Sequence, residues 1–280
     1  MNWLKKHKDA VLLLAILLVG IGIMAYPSVS DYYNTWIQRR AISSYEEKVV
    51  SMDVDQYKEL REEAEKYNEE LAETGLQWSM DKEQTEQYNQ TLKMDASMAM
   101  GYIEIPKLGE KLVIYHGTSE EVLRTGVGHM QGTSLPIGGE TSHCVLSGHR
   151  GLPSAKLFSD LDKMEEGDTF LIHVLDMTLT YEVDQIRVVE PSDLSQIVME
   201  KGKDYCTLVT CTPYGVNTHR LLVRGHRITN AQGDAAVTSD ALQIEPIYIA
   251  PFIAAPILLM LLIVLLISTG KRKNSRGKEN

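Results

Sequence analysis

Cysteine is scarce in this 280-residue chain, which contains only Cys144, Cys206 and Cys211. An odd number of cysteines leaves at least one thiol free, even in an oxidising compartment, so a fully paired disulfide framework is excluded. Cys144 and Cys206 fit the pattern of small buried thiols, and a disulfide between them requires that their strands be neighbours.

Basic residues are also in deficit, with 28 Lys and Arg against 38 Asp and Glu. Residues 1–9 and 269–280 take eight of the basic and two of the acidic side chains, so the rest keeps 20 against 36, a net charge of about −16. A surface of this sign repels nucleic acids and anionic headgroups, which argues against a nucleic-acid partner. It favours cationic partners such as proteins that present lysines, or is simply a solvated acidic face. Internal repeats are absent, and the basic C-terminal tail is the only biased tract.

Two uncharged apolar runs, 10–26 and 247–268, predict membrane-spanning helices. Basic residues precede the first run and follow the second. The positive-inside rule therefore places both termini in the cytoplasm and residues 27–246 outside, as in a two-pass membrane protein. A cleaved signal peptide is the alternative for the first run, although the residues before Pro27 form a poor cleavage site.

The segment 27–99 has the pattern of a charged helical extension. Asp53 is a candidate N-cap and Gly75 a candidate helix stop. Apolar residues recur between them at steps of three or four, which predicts a face packed against the main domain. Three helices are predicted, over 30–50, 54–71 and 82–92.

The sequence changes character near residue 100, where short alternating stretches separated by Gly, Pro, Asn and Asp begin. Strands are predicted at 101–106, 111–115, 142–146, 170–174, 178–183, 186–190, 205–211 and 220–224. Short helices are predicted at 120–124 and 155–160. So many short strands in about 125 residues predict a mainly β fold, a closed or nearly closed barrel.

Cys211 is the candidate nucleophile. It ends the apolar strand that begins near Tyr205, and the turn Thr212-Pro213-Tyr214-Gly215 follows. A thiol at a strand end can be exposed while its backbone is held rigidly, but it needs a nearby cation to ionise at neutral pH.

Candidate partners lie on two other segments. His149 stands between Gly148 and Gly151 after an apolar strand, the best context among eight histidines, with His219 and His226 as rivals. Arg220 begins the strand after the turn that follows Cys211, and a guanidinium there would stabilise a thiolate or an oxyanion. The rival arginines are Arg224 and Arg150.

Residues 207–225 (Thr-Leu-Val-Thr-Cys-Thr-Pro-Tyr-Gly-Val-Asn-Thr-His-Arg-Leu-Leu-Val-Arg-Gly) resemble the active-site strand of sortases. Ser-Gly-His-Arg-Gly at 147–151 resembles the histidine segment of that family, and Gly-Tyr-Ile-Glu-Ile-Pro at 101–106 resembles its opening strand. The Asn-Thr-His-Arg spacing, the helical extension and the second span are most similar to class C, the pilin-polymerising sortases.

The resemblance implies a closed eight-stranded barrel with Cys211, His149 and Arg220 in one groove, and neither metal nor cofactor. It implies cleavage of a Leu-Pro-x-Thr-Gly-like sorting signal through a thioacyl-enzyme, and transfer to a lysine amine of a pilin subunit. His149 would act as general acid and then as general base. The expected organisation is a cytoplasmic tail (1–9), a transmembrane helix (10–26), an extracellular helical extension (27–99), the catalytic barrel (100–228), a linker (229–246), a second transmembrane helix (247–268) and a basic cytoplasmic tail (269–280).

Class C enzymes carry an Asp-Pro-aromatic lid, and this chain departs from that pattern. Residues 76–81 contain Trp78 and Asp81 in the reverse order and without proline. Either Trp78 is buried in the groove, with Asp81 near Arg220, or Trp78 attaches the helix to the side of the barrel.

The same residues are compatible with other functions. A housekeeping sortase would use a cell-wall precursor as the acceptor, and a hydrolytic cysteine protease would use water. A catalytically idle membrane scaffold or sensor is a further alternative.

Overall fold

The computed structural model describes residues 8–94 and 97–230. Within them, four helices and eight strands form, together with two short 3-10 helices at Pro106–Leu108 and Leu161–Lys163. The helices are α1 (Lys8–Ser51), α2 (Val54–Thr74), α3 (Lys82–Gln90) and α4 (Glu120–Thr125). The strands are β1 (Ala99–Ile105), β2 (Glu110–His116), β3 (Val127–His129), β4 (Ser142–Ser147), β5 (Thr169–Val174), β6 (Met177–Val189), β7 (Asp204–Thr212) and β8 (His219–Ile228).

Helix α1 is longer than the sequence pattern suggests. The apolar run and the predicted helix over 30–50 form one continuous helix, which passes through Pro27 without interruption. Its most apolar 18-residue window has a mean hydropathy of 2.3 and is not buried, so its length and composition fit a membrane span and equally a signal sequence. The predicted second span over 247–268 lies outside the described residues.

Two compact units share α1, with the division after Tyr33. In the second unit, α1 is joined to the barrel by polar side chains. The Gln38 amide accepts a hydrogen bond from the Val113 backbone N–H and donates one to the carbonyl of Thr125. The Tyr45 hydroxyl donates to the carbonyl of Met100. This part of α1 is therefore an integral part of the domain.

Helix α2 begins and ends where the sequence predicts. The Asp53 side chain accepts a hydrogen bond from the Gln56 N–H, and Gly75 takes a positive φ of 84° at the other end. Asn68, which is buried, makes three hydrogen bonds with backbone groups of Leu135 and Gly138. The predicted apolar face packs against the barrel core, as expected.

The predicted barrel is confirmed. The strands close in the order β1-β2-β3-β4-β7-β8-β6-β5, and the pairs β2/β3 and β4/β7 are parallel while the others are antiparallel. The barrel interior is filled by one hydrophobic cluster, to which α2 and α3 also contribute.

Three details of the prediction are wrong. The strands predicted at 178–183 and 186–190 are one strand, β6, with an irregularity between Val183 and Gln185 that shifts the alternation. Strand β3 was missed because its three residues are too few to show a period. The helix predicted over 155–160 does not form, because Leu157 has a left-handed φ of 42° and the Phe158 N–H donates to the carbonyl of His149.

Candidate active site

The pairing of three adjacent strands brings Cys211, His149 and Arg220 to one end of the barrel. Strands β4 and β7 run parallel with Ser147 opposite Val209, so the turn that follows β4 and carries His149 begins beside the last residues of β7, which include Cys211. The turn after β7 reverses the chain, and the antiparallel register then places Arg220 directly opposite Cys211.

Cys211 is the accessible thiol of the three. It is partly exposed, whereas Cys144 and Cys206 are buried, and all three are free. Cys144 and Cys206 lie opposite each other on β4 and β7, so the strands are neighbours, as a disulfide between them would require. Burial raises the pKa of the Cys206 thiol well above its ordinary value, which keeps it protonated and unreactive.

The turn that carries His149 is held against β7 and the following loop. The Gly148 N–H donates to the carbonyl of Val209, and the Thr210 hydroxyl donates to the carbonyl of Gly148 at 2.7 Å. A Cβ atom at Gly148 would lie 2.6 Å from the ring of Phe158, so only glycine fits there. The backbone of His149 is therefore fixed relative to the strand that ends in Cys211.

The imidazole of His149 faces a carboxylate that the sequence did not identify. Its Nε2 lies 3.4 Å from Oε2 of Glu120, the first residue of α4, and the His149 side chain is 25% exposed. The other carboxylate oxygen of Glu120 accepts a hydrogen bond of 2.8 Å from Nε of Arg124. Because this hydrogen bond and the nearby imidazole favour the anion while burial opposes it, the pKa of Glu120 is lowered.

The two rival histidines face other partners. Nε2 of His219 lies 3.3 Å from a carboxylate oxygen of Glu190. His226 lies opposite Tyr205 in the β7/β8 pair, at the end of β7 that is far from Cys211. The position of His149 therefore supports its choice as the proton-transfer group.

The three candidate arginines differ in what they contact. Arg150 is almost fully buried and forms an ion pair with Asp162. Arg224 makes two hydrogen bonds of 2.9 and 3.0 Å to the carboxylate of Asp184. The hydrogen bonds of Arg220 go to the backbone carbonyls of Asn217 and His219, so its charge is not neutralised by a carboxylate there.

In the segment 76–81, the residue that packs next to this site is Leu76 and not Trp78. Leu76 packs against a hydrophobic cluster that includes Val209 and Leu222. These two residues share the strand faces of Cys211 and Arg220, because residues two apart on a strand point the same way. The next residue, Gln77, donates its N–H to the carbonyl of Gly132 at 2.9 Å, which fixes the segment at this position.

Trp78 is not fully buried in either of the two predicted positions, since its side chain remains 45% exposed. Asp81 is the N-cap of α3 and accepts a hydrogen bond of 2.9 Å from the N–H of Gln84. Asp81 therefore begins helix α3, and none of its described contacts is with Arg220.

Sequence reasoning therefore missed two residues next to the site, Glu120 and Leu76. Ser119 followed by Glu120 and Glu121 reads as an ordinary helix start, and the side chain of Ser119 does accept a hydrogen bond from the Val122 N–H. Nothing in that local pattern connects the helix with His149. Leu76 was recognisable only as an apolar residue just after the helix stop at Gly75.

The arrangement contains the parts of an acyl-transfer site. It offers a partly exposed thiol, an imidazole on a turn held against the adjacent strand, and a guanidinium whose hydrogen bonds in the described structure go to backbone carbonyls. A thiolate can attack a carbonyl carbon, the guanidinium can stabilise the resulting oxyanion, and the imidazole can exchange protons with the leaving and entering groups.

Comparisons with known proteins agree with this geometry. Residues 103–228 match the family described as the sortase domain. The structure is similar to that of sortase C1 from Streptococcus agalactiae, with a TM-score of 0.67 and 55% identity over 68% of this chain and 99% of that one. For Streptococcus pneumoniae sortase C, described as informative on pilin substrate specificity, the TM-score is 0.62 with 44% identity over 71% and 100% of the two chains. For Clostridium perfringens sortase C, solved with the C-terminal cell wall sorting motif, the TM-score is 0.61, with 42% identity over 68% of this chain and 98% of that one.

The identities lie far above the level at which a likeness shows only the fold, and each of the three solved chains is covered almost completely. The chain belongs to the sortase family of cysteine transpeptidases, and its structure is similar to those of class C members.

Proposed function

We propose that this chain is a membrane-anchored pilin polymerase, which joins a Leu-Pro-x-Thr-Gly-like sorting signal to a lysine amine of a pilin subunit. The observation that carries the proposal is the placement of Cys211 opposite Arg220, with His149 on the turn that follows the adjacent strand β4. The similarity to class C sortases, one described with pilin specificity and one with a sorting motif, supports this choice of substrates.

In the first half of the reaction, the Cys211 thiolate attacks the carbonyl carbon of the threonine in the sorting signal. The carbonyl oxygen becomes an oxyanion, which the Arg220 guanidinium stabilises. When the intermediate collapses, the Thr–Gly C–N bond breaks and a thioester remains on Cys211. The leaving glycine amine takes its proton from the His149 imidazolium.

The second half reverses these roles. A lysine amine attacks the thioester carbon and gives a proton to the neutral His149 imidazole. A new amide bond forms, and the Cys211 sulfur leaves as the thiolate. The enzyme returns to its starting protonation state, so no cofactor or external oxidant is consumed.

The proposed topology places the catalytic barrel outside the cell, with both termini in the cytoplasm. Helix α1 supplies one apolar segment of sufficient length. The net negative charge predicted for the extracellular part suits an acceptor that presents lysines. The second span and the cytoplasmic C-terminal tail belong to this proposal on the sequence pattern alone.

The test compares acceptors in one assay. The whole chain, solubilised in detergent, is incubated with a Leu-Pro-x-Thr-Gly peptide and a lysine-bearing pilin subunit, and the products are weighed by mass spectrometry. The expected product has the mass of the pilin plus the mass of the peptide, less the mass of the released peptide fragment that begins at the glycine. Pilin with reductively methylated lysines is the control and should form no product.

Two outcomes would replace the proposal with its alternatives. If the peptide is cleaved but only the free acid appears, the enzyme acts as a hydrolase. If a cell-wall precursor amine, added to the same mixture, is joined to the peptide in preference to the pilin, the enzyme acts as a housekeeping sortase.

We also propose that residues 76–81 cover the groove, with Leu76 as the anchor. Leu76→Ala is expected to raise the rate of Cys211 modification by a small thiol reagent roughly fivefold, because about 1 kcal/mol of packing is lost. Trp78→Ala is the matched control and should change this rate less, since Trp78 is already 45% exposed. If neither variant is modified faster than the wild type, the segment does not cover Cys211. A faster rate in Trp78→Ala alone would make Trp78 the anchor.

A further inference from the structure

The contact between Glu120 and His149 joins a short surface helix to the site. Nε2 of His149 is buried and has no hydrogen-bond partner within the described part of the chain, yet it lies 3.4 Å from Oε2 of Glu120. A small rotation of either side chain would convert this ion-pair contact into a hydrogen bond. An imidazole that becomes charged during the reaction needs acceptors for both of its N–H groups.

Helix α4 is fixed in place, so the approach of Glu120 does not depend on a mobile loop. At its C-terminal end, the carbonyl of Thr125 accepts a hydrogen bond from the buried side chain of Gln38. A Cβ atom at Gly126 would lie 2.8 Å from the ring of Tyr115 and from the carbonyl oxygen of Val113, so the backbone there packs directly against β2. The start of the helix is thereby held at one distance from the His149 turn.

The carboxylate of Glu120 is itself oriented. Its Oε1 accepts from Nε of Arg124 at 2.8 Å, which turns Oε2 towards His149. The other charged or ionisable groups of the site approach from different elements: Cys211 and Arg220 lie on β7 and β8, and Arg150 is directed to Asp162. Glu120 is the described carboxylate that faces the imidazole.

We propose that Glu120 is a positioning residue for His149, whose carboxylate accepts the Nε2–H of the imidazole and leaves Nδ1 to exchange the proton with the groups reacting at Cys211. The assignment rests on the proposed acyl transfer. In serine protease triads, a buried aspartate selects the histidine tautomer that can act as a base. Glu120 has the same effect on the imidazole of His149.

The tautomer decides whether the second half-reaction can proceed. Neutral His149 must carry its proton on Nε2 if Nδ1 is to take one from the lysine amine. Without an acceptor at Nε2, the proton divides between the two nitrogens, and the productive fraction falls. Because Glu120 is 63% exposed in its side chain, the effect is that of a partly screened pair and not of a buried triad.

The first readout is kinetic. Glu120→Ala is expected to lower kcat for peptide transfer roughly fivefold with KM unchanged, a loss on the scale of an exposed charged contact. Glu121→Ala is the matched control: it removes the same charge from the adjacent exposed position, and it should retain the wild-type kcat. Glu120→Gln keeps an acceptor oxygen without the charge and should lie between the wild type and Glu120→Ala.

The second readout does not require turnover. In the whole chain carrying ¹⁵N-labelled histidine, the ring nitrogen signals of neutral His149 report which nitrogen is protonated. The wild type and Glu121→Ala should show the Nε2–H form, and Glu120→Ala should show a larger share of the Nδ1–H form. A merely structural role for Glu120 would lower the melting temperature and leave the tautomer unchanged.

The outcomes separate this inference from the proposed function. If the wild type fails to join the peptide to pilin but the tautomer still changes in Glu120→Ala, the positioning role stands and the substrate proposal fails. The inference is overturned if Glu120→Ala shows the wild-type tautomer, or if Glu121→Ala loses as much kcat as Glu120→Ala.

Discussion

Cys211→Ala is expected to abolish formation of the thioacyl-enzyme. No other described thiol is accessible, because Cys144 and Cys206 are buried in the barrel core. The measurement is the intact mass of the enzyme after incubation with a sorting-signal peptide. The wild type should gain the mass of the acyl fragment, and the variant should gain nothing.

Cys206→Ala is the matched control. It removes a thiol from the same strand, but one whose raised pKa keeps it neutral and whose side chain faces the core. This variant loses some stability through the small cavity left behind, yet at a temperature well below its unfolding transition it should still form the thioester. A Cys211→Ala enzyme that acquires the acyl mass would refute the choice of nucleophile. So would a Cys206→Ala enzyme that folds but fails to acquire it.

Local chemistry explains what the sequence could predict about the fold. Asp53 and Gly75 act as a helix cap and a helix stop because each depends only on its own conformation and on neighbours a few residues away. Strand β7 was recognisable as a short apolar run that ends at a turn, and in the structure Tyr205 to Thr210 are buried without interruption. The closed barrel then follows from the number of such strands, since closure leaves no unpaired edge.

The errors arise where tertiary contacts override the local pattern. The loop around Leu157 has helix-forming residues, but the Phe158 N–H donates to the carbonyl of His149 and Leu157 takes a left-handed φ, so the loop forms turns and not a helix. The interruption in β6 lies at Asp184, whose carboxylate accepts a hydrogen bond from Arg224 on the neighbouring strand. Neither partner is close in sequence, so no periodicity could reveal the interaction.

The same distinction applies to the site. Cys211, His149 and Arg220 could be chosen because their residue types and flanking turns are distinctive, and strand pairing then accounts for their convergence. Glu120 and Leu76 could not, because each is ordinary in its own segment and gains its significance only from the neighbour that the fold supplies.

Arg220→Ala is expected to lower kcat for peptide cleavage by at least about a hundredfold, the usual loss when an oxyanion donor is removed. Its guanidinium contacts only backbone carbonyls in the described structure, so the melting temperature should stay close to that of the wild type. Arg220→Lys keeps the charge but loses the planar fork of donors, and it should recover only part of the activity.

Arg224→Ala provides the contrast, because the two arginines lie on the same face of β8 and differ in their partners. Burial alone would lower the pKa of Arg224, but the hydrogen bonds and charge of Asp184 outweigh it and raise the pKa, which marks a stable ion pair. Its removal leaves Asp184 partly buried without its partner, so Arg224→Ala should lower the melting temperature and, while folded, retain most of its kcat. Measuring kcat and thermal unfolding for both variants tests the assignment. If folded Arg224→Ala loses as much kcat as Arg220→Ala, or if Arg220→Ala keeps more than about a tenth of the wild-type kcat, Arg220 is not the oxyanion donor.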